Sequence, residues 1–290
     1  MTEEFAKVGD LQLCYETIGQ SGNPAVLLMT GLGAQLIHWP TAFCHALAER
    51  GFYVIRYDHR DAGRSTVLDH LPVPSRYRLL RKDGPGAPYL LSDLANDAAG
   101  LLDVLDIGSA HVVGMSLGGI VGQTLAVRHP SRVRSLVSIA ANTGAAKDHP
   151  KLPVLLAMVR HPPQDRHRFV RQAVIASKIF GSDLTSDEAR RFAEALFDRG
   201  VHPEGILRQL GAIFAAGDRT RQVANIAAPT VVIHGTNDRI LPASGGQATA
   251  AAIPGAELHL VPGMGHALLR QHWDQFITWI VAKAQQVQAR

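Results

Sequence analysis

Ser116 lies in Gly114-Met115-Ser116-Leu117-Gly118, a G-x-S-x-G pattern that directly follows the apolar run AHVV and opens the helical pattern LGGIVGQTLAVRH. A serine on so abrupt a strand-to-helix turn is held in a strained backbone conformation, and the flanking glycines let neighbouring backbone approach it. The helix behind it aims free N–H groups at any negative charge that forms nearby. A serine hydroxyl is a weak nucleophile until a base takes its proton and a carboxylate orients that base. The candidate base is His266, in VPGMGHALLR after the last apolar run. The candidate carboxylate is Asp238, in VVIHGTNDRILP after the preceding one. The segment after LVSIAA offers Asn142 and no adjacent acid, which favours Asp238. The chain order Ser, Asp, His is that of one of the known serine hydrolase arrangements. The chemistry also needs two N–H donors for an oxyanion. We assign these to Leu117, next to the serine, and to Leu32 in the loop Thr30-Gly31-Leu32-Gly33.

These residues need a scaffold that gathers loop ends. The strand-like runs are Ala25–Met29, Phe52–Tyr57, Ala110–Gly114, Leu136–Ala141, Thr230–Gly235 and Glu257–Val261. Most are rich in β-branched residues or Leu with little polar alternation, as in strands covered on both faces. Helical patterns separate them. One starts near Ser92 as N-cap, with Leu94, Ala98, Leu101, Leu102 and Leu105 on one face. This alternation predicts an α/β fold with a mostly parallel sheet, and FAKV and LQLCYET around Gly9-Asp10 predict an opening antiparallel hairpin. Two segments break the rhythm. Val67 to Leu91 is a Pro- and Gly-rich excursion. Asn142 to about Arg221 holds helical patterns only, including the capping box Thr185-x-x-Glu188. The expected organisation is a core of residues 1–142 and 222–290 with a helical lid over 143–221.

Composition removes other classes. At 290 residues and 46% hydrophobic, the chain can bury a substantial core and is not a disordered one. Two cysteines, Cys14 and Cys44, make no disulfide framework. MTEEFAKVGD is not a signal sequence, and no apolar run reaches the roughly 18–20 residues of a bilayer span. The expectation is a soluble, cytoplasmic protein with no transmembrane segment and no nucleic-acid partner. No H-E-x-x-H, C-x-x-C or G-x-x-x-x-G-K-[ST] is present, so neither a metal nor a nucleotide cofactor is called for. Gly31-Leu32-Gly33 with Asp58 at the end of the next run gives a distant alternative, a nucleotide-binding oxidoreductase. The third glycine position of that fingerprint is Leu36, however, and Ser116, Asp238 and His266 stay unexplained. Asp58 and Arg60 read better as residues that stabilise the YDHRDAGRS turn. His38, His59, His111, His234 and His259 read as structural or surface groups.

TGLGA, YDHRDAGRS, GMSLGG, HGTNDRILP and PGMGHALL together resemble the oxyanion loop, second loop, nucleophile elbow, acid loop and histidine loop of the α/β-hydrolase family, along essentially the whole chain. Within it, TGLGAQLIHWP, VIRYDHRDAGRS and IPGMGH are most similar to anthracycline (aclacinomycin) methylesterases and related carboxylesterases. Thr30 stands where many members carry histidine. The resemblance implies an eight-stranded α/β-hydrolase sheet with helices on both faces and a helical lid between strands 6 and 7. Dehalogenases and epoxide hydrolases of the family use aspartate as nucleophile, so Ser116 in that slot implies an acyl-enzyme. The expected function is a serine-dependent carboxylesterase for a small hydrophobic ester, a methyl ester among the candidates. A lipase, a thioesterase and a C–C bond hydrolase share the triad. Nothing in the sequence sets an oligomeric state.

The net charge of +4 is uneven. Ala145 to Arg221 holds 13 Lys+Arg and 9 Asp+Glu, so the excess belongs to the lid and the remainder is neutral. Arg160, Arg166, Arg168, Arg171, Arg190 and Arg191 are expected on a solvated helix face. The apolar stretches Pro153–Met158 and Ile206, Leu210, Ile213, Phe214 are expected mostly in the lid's own core, and they favour an apolar substrate group.

Overall fold

A computed structural model describes residues 2–82, 86–179 and 181–288. Residues 83–85 of the Val67–Leu91 excursion lie outside the described residues. Eight strands form one sheet: β1 Glu4–Val8, β2 Leu11–Ile18, β3 Ala25–Met29, β4 Tyr53–Tyr57, β5 Ala110–Met115, β6 Val133–Ile139, β7 Thr230–Gly235 and β8 Glu257–Val261. Their spatial order is β1-β2-β4-β3-β5-β6-β7-β8. The β1–β2 and β2–β4 pairs are antiparallel, and every pair from β4 across to β8 is parallel. All five residues of β3 and all six of β7 are buried, as continuous apolar runs covered on both faces require.

The helices are α1 Thr41–Ala48, α2 Arg76–Leu80, α3 Leu91–Val104, α4 Leu117–Arg128, α5 Leu152–Met158, α6 Arg166–Ile179, α7 Ser186–Arg199, α8 Pro203–Ala216, α9 Thr220–Val223, α10 Ala243–Ala252 and α11 Trp273–Gln288. One apolar cluster joins β3, β5 and β6 to α3 and α4 through Leu27, Val112, Leu136, Leu94, Leu101 and Leu125. A second joins Val26, Val113, Val137 and Ile233 to Phe43 and Leu47 of α1 and to Phe276 and Ile280 of α11. The alternation of side chains along each strand therefore feeds two cores, one on each face of the sheet.

Several sequence boundaries move. The strand read as Leu136–Ala141 runs Val133–Ile139, because Ala140 takes a positive φ of 47° and ends the extended run. The strand read from Phe52 starts at Tyr53. The helix read from Ser92 has Leu90 as its N-cap, whose N–H donates to the Asp93 carboxylate at 2.7 Å, and Leu105 closes its far end. Asp93 thus does the capping expected of Ser92.

Helices α5 to α9 all fall between β6 and β7 in sequence. This helical insert has its own small core of Leu155, Val159, Leu207, Leu210 and Phe214, and Leu79 of α2 joins it. The Val67–Leu91 excursion is therefore packed against the insert, with Pro74 set against Gly211. Arg160, Arg166, Arg168, Arg171, Arg190 and Arg191 are all exposed. Among the described residues no helix is long and apolar enough to cross a membrane.

Candidate active site

The turn between β5 and α4 is tight enough to dictate its sequence. Ser116 has φ 55° and ψ −118°, a conformation that costs an L-residue energy and persists only where its surroundings enforce it. Its own N–H donates to the Ile139 carbonyl at 2.8 Å. A Cβ on Gly114 would lie 2.1 Å from the Gly118 carbonyl oxygen, and one on Gly118 would lie 2.3 Å from that of Met29. Both glycines are therefore obligatory: one lets the turn close on itself, the other lets α4 start against the end of β3.

That close approach brings the loop after β3 beside the serine. A Cβ on Gly31 would sit 3.4 Å from the Ser116 Cβ and 3.9 Å from its Oγ. Gly33 takes φ 62°, and its N–H donates to Gln209 Oε1 of α8 at 2.8 Å. Between these glycines, the Leu32 N–H has no acceptor among the described residues, and neither has the Leu117 N–H at the first position of α4. First-turn amides of a helix lack internal partners, so two donors stand free beside the serine.

Asp238 and His266 come together because β7 and β8 are neighbours. The loops that follow them are stitched by Thr236 N–H to the Val261 carbonyl at 3.1 Å and Asn237 N–H to the Met264 carbonyl at 2.9 Å. A Cβ on Gly235 would lie 2.2 Å from the Met264 oxygen, so the two loops touch. Asp238 is fully buried at its side chain. Its Oδ2 accepts from His266 Nδ1 at 2.6 Å, and its Oδ1 accepts from the Ile240 and Leu241 N–H groups at 2.8 and 3.0 Å. Burial pushes the Asp238 carboxyl up, but the hydrogen bonds from His234 and His266 and from the Leu241 amide outweigh it and hold the group well below the usual carboxylate range. His234, at the end of β7, is fully buried with Nε2 3.1 Å from the Leu241 carbonyl and 3.4 Å from Asp238. It is a structural histidine, as read, and it also backs the carboxylate.

Ser116 lines an apolar cavity with Leu32, Leu117, Ile120, Asn142, Met158, Leu210, Ile213, Phe214, Ile240 and Leu241. Leu210, Ile213 and Phe214, expected mainly in the insert's own core, thus also face the serine. His149 is part of the wall. Its Nε2 donates to the Gly144 carbonyl at 2.9 Å, and burial lowers its basicity. His266 lines a second recess, and Ile240 is common to both. The structure therefore brings Asp238 and His266 into contact and Ser116, Leu32 and Leu117 into one cavity. No hydrogen bond joins Ser116 to His266 among the described residues. The arrangement can supply a strained hydroxyl, a histidine whose Nε2 is free once Nδ1 donates to Asp238, and two amides for a developing oxyanion.

Asp58 and Arg60 stabilise the loop after β4, as expected. Asp58 accepts from the Leu36 and Arg64 N–H groups at 2.5 and 2.9 Å, and Arg60 pairs with Asp97. Cys14 and Cys44 are buried free thiols. Among the described residues no group of three His, Cys, Asp or Glu side chains is placed to hold a metal ion. Sequence reasoning missed Gln35 and Gln209, which tie the loop after β3 to the insert. A glutamine in a loop or a helical pattern carries no local mark of such a role.

Residues 24–272 match a family model described as alpha/beta hydrolase fold. The chain belongs to that family. It is 32% identical to a rhodomycin D methylesterase of Streptomyces sp. strain C5, over 89% of this chain and 90% of that one. It is 28% identical to a 2-hydroxy-6-oxononadienedioate/2-hydroxy-6-oxononatrienedioate hydrolase of Paraburkholderia xenovorans LB400, over 97% and 94%. Among solved structures it is similar to the enol-lactonase from Burkholderia xenovorans LB400, with 25% identity, a TM-score of 0.74 and coverage of 97% of this chain and 100% of that one.

Proposed function

We propose that this α/β hydrolase is a serine-dependent carboxylesterase that works through an acyl-enzyme on esters with an apolar acyl group. The observation that carries the reading is Ser116, held at φ 55° in an apolar cavity beside two unbonded amides. Neutral His266, its Nδ1–H committed to Asp238, takes the Ser116 proton at Nε2 as Oγ attacks the ester carbonyl. The Leu32 and Leu117 amides receive the oxyanion. The imidazolium is stabilised by Asp238 and gives its proton to the leaving oxygen. Water then enters, His266 takes its proton as it attacks the acyl carbonyl, and the imidazolium returns that proton to Ser116 Oγ as the acid is released. Residues 143–221 act as a lid over a core of 1–142 and 222–290, and Met158, Leu210, Ile213 and Phe214 form its contribution to the acyl site. The similarity to an enzyme named for a methylester supports ester chemistry.

The experiment is labelling by a fluorophosphonate probe, alongside hydrolysis of p-nitrophenyl esters of increasing acyl length. Wild type is expected to label, and Ser116→Ala to lose both labelling and at least about 10³-fold in kcat, with its unfolding midpoint retained. Equal labelling of both proteins rules the nucleophile out.

A further inference from the structure

The recess beside His266 differs in kind from the serine's cavity. It is lined by Lys178, Gly181, Asn237, Arg239, Ile240, Gly263, Gly265 and His266. Three of these are glycines, so much of its wall is bare backbone and its space is left open. Lys178 closes the end of α6 from the insert, and Arg239 follows the buried Asp238 in the acid loop. Neither cation forms an ion pair or hydrogen bond among the described residues, and the Asn237 side-chain amide is equally uncommitted. Elsewhere the arginines of this chain are often engaged: Arg60, Arg166, Arg190, Arg199, Arg208 and Arg270 all have carboxylate partners. Among the described residues, no aspartate or glutamate lines the recess. The carboxylate behind it, Asp238, is already occupied by His266, His234 and two amides.

Position then decides which part of a substrate the recess meets. In acyl transfer the general acid donates its proton to the leaving oxygen, so the leaving group lies on the histidine's side of the tetrahedral carbon. The acyl group has the apolar cavity with Ser116; the alcohol or thiol portion passes His266. We propose that this portion carries an anionic group, a carboxylate or phosphate, held between Lys178 and Arg239. The substrate is therefore an ester or thioester of an apolar acid with an anionic alcohol or thiol, and a methyl ester leaves the recess empty. Charge-assisted hydrogen bonds of this kind are the stronger ones, though both side chains are exposed, which keeps each contact modest. This inference rests on the esterase reading above.

The test compares 3-carboxyphenyl butyrate with its neutral isostere 3-carbamoylphenyl butyrate, and adds the butyrate ester of 3-hydroxyphenyl phosphate. The readout is the ratio of kcat/KM for an anionic over the neutral ester, which cancels any loss of folded enzyme. Wild type is expected to favour an anion by about five- to tenfold. That ratio should fall towards one in Lys178→Gln/Arg239→Gln and at about 0.5 M NaCl. A larger ratio for the phosphate than for the carboxylate identifies a phosphorylated leaving group; the reverse identifies a carboxylated one. A wild-type ratio near one, or a preference that survives in the double variant, overturns the proposal. If none of the esters turns over, it is the esterase reading that fails. Calorimetry with the unreactive amides 3-butyramidobenzoate and 3-butyramidobenzamide then decides the recess. Tighter binding of the anion that is lost in the double variant upholds it, and equal or absent binding overturns it.

Discussion

In the central strands of the sheet, most of what is buried is hydrocarbon: Ala25–Met29 is covered end to end, Leu27, Val113 and Ile233 are fully inaccessible, and the buried Arg56–Glu16 pair sits off to one side between β4 and β2. Where the helical insert meets the sheet's loops, much of what is buried is charge. Arg199 pairs with Asp58 and with Glu3, Arg208 makes a two-pronged pair with Asp61, and Arg219 donates to Gln123 and to the Asn142 carbonyl. All three arginines are buried. Hydrophobic burial is non-directional, so it holds a sheet together while leaving side chains interchangeable. A buried guanidinium is satisfied in one geometry only, so it fixes where the insert sits over Ser116 at the risk of a large penalty if one partner goes.

Removing one partner breaks the comparison most sharply. Arg208→Met leaves Asp61 buried with only the Leu68 N–H and the Tyr89 hydroxyl as donors. It is expected to cost about 3–5 kcal/mol, as much as a core Leu28→Ala in the sheet, for which about 2–5 kcal/mol is expected. Adding Asp61→Asn to Arg208→Met should recover at least half of the loss, because the uncompensated charge disappears, whereas no second substitution of that kind rescues Leu28→Ala. Urea unfolding of the four proteins measures this, and a double variant no better than Arg208→Met would remove the charge argument.

The Asp238 carboxylate is the same device inside the sheet's loops. Its folded pKa is depressed, so its contribution is complete above the unfolded value near 4 and is lost as pH falls through and below that range. Unfolding free energy should drop on acidification from pH 5 to 3, and Asp238→Asn should flatten that drop by on the order of 1 kcal/mol. An unchanged acid slope would show that the pair with His266 contributes little.

Gln209 links the two regions at the chemistry itself. Fully buried, it accepts from the Gly33 N–H and donates to the Arg60 carbonyl at 2.9 Å, and Ile206 packs over the bare face of Gly33. Gln209→Leu orphans a buried amide next to Leu32 and should cost about 1–3 kcal/mol of stability. On the esterase reading it also loosens one oxyanion donor, so kcat is expected to fall about tenfold with KM little changed. Affinity for a boronic acid inhibitor, whose tetrahedral adduct needs that donor, should fall in parallel. A rise in KM alone would place Gln209 in the scaffold and not in the positioning of the oxyanion loop.

This division follows what a sequence can express. Strand Ala25–Met29 was legible residue for residue because an unbroken apolar run between turn residues is local information, and Thr230–Gly235 and Glu257–Val261 because each is a short run rich in Val, Ile or Leu set between turn residues. Asp238 and His266 were legible because each ends a loop after a recognisable strand, and β7 and β8 pair side by side. The ties of the insert were not. Arg199 lies 141 residues from Asp58, Arg208 147 from Asp61 and Gln209 176 from Gly33, and no periodicity marks which arginine of a basic segment turns inward. The exposed Arg160, Arg166, Arg168, Arg171, Arg190 and Arg191 look identical to the buried three until the chain is folded.

The insert also holds interactions written locally, and one of them supplies the smallest effect. Thr185 and Glu188 form the reciprocal capping box at the start of α7: the Glu188 N–H donates to Thr185 Oγ1 at 3.3 Å, and the Thr185 N–H to Glu188 Oε2 at 2.9 Å. Both side chains are solvent-accessible, and Glu188 also pairs with Arg270, outside the insert. Thr185→Ala removes one of the two capping bonds, which costs about 1 kcal/mol and about 2–4 °C in the thermal midpoint of a chain this size. Because the box orders only the first turn of α7 and touches neither Gln209 nor Arg208, kcat and the kcat-to-KM ratio should stay at wild-type values. A thermal scan beside a single ester assay checks both. A loss as large as that of Arg208→Met would mean that α7 itself, through its start, sets the insert's position, and that the buried arginines only follow it.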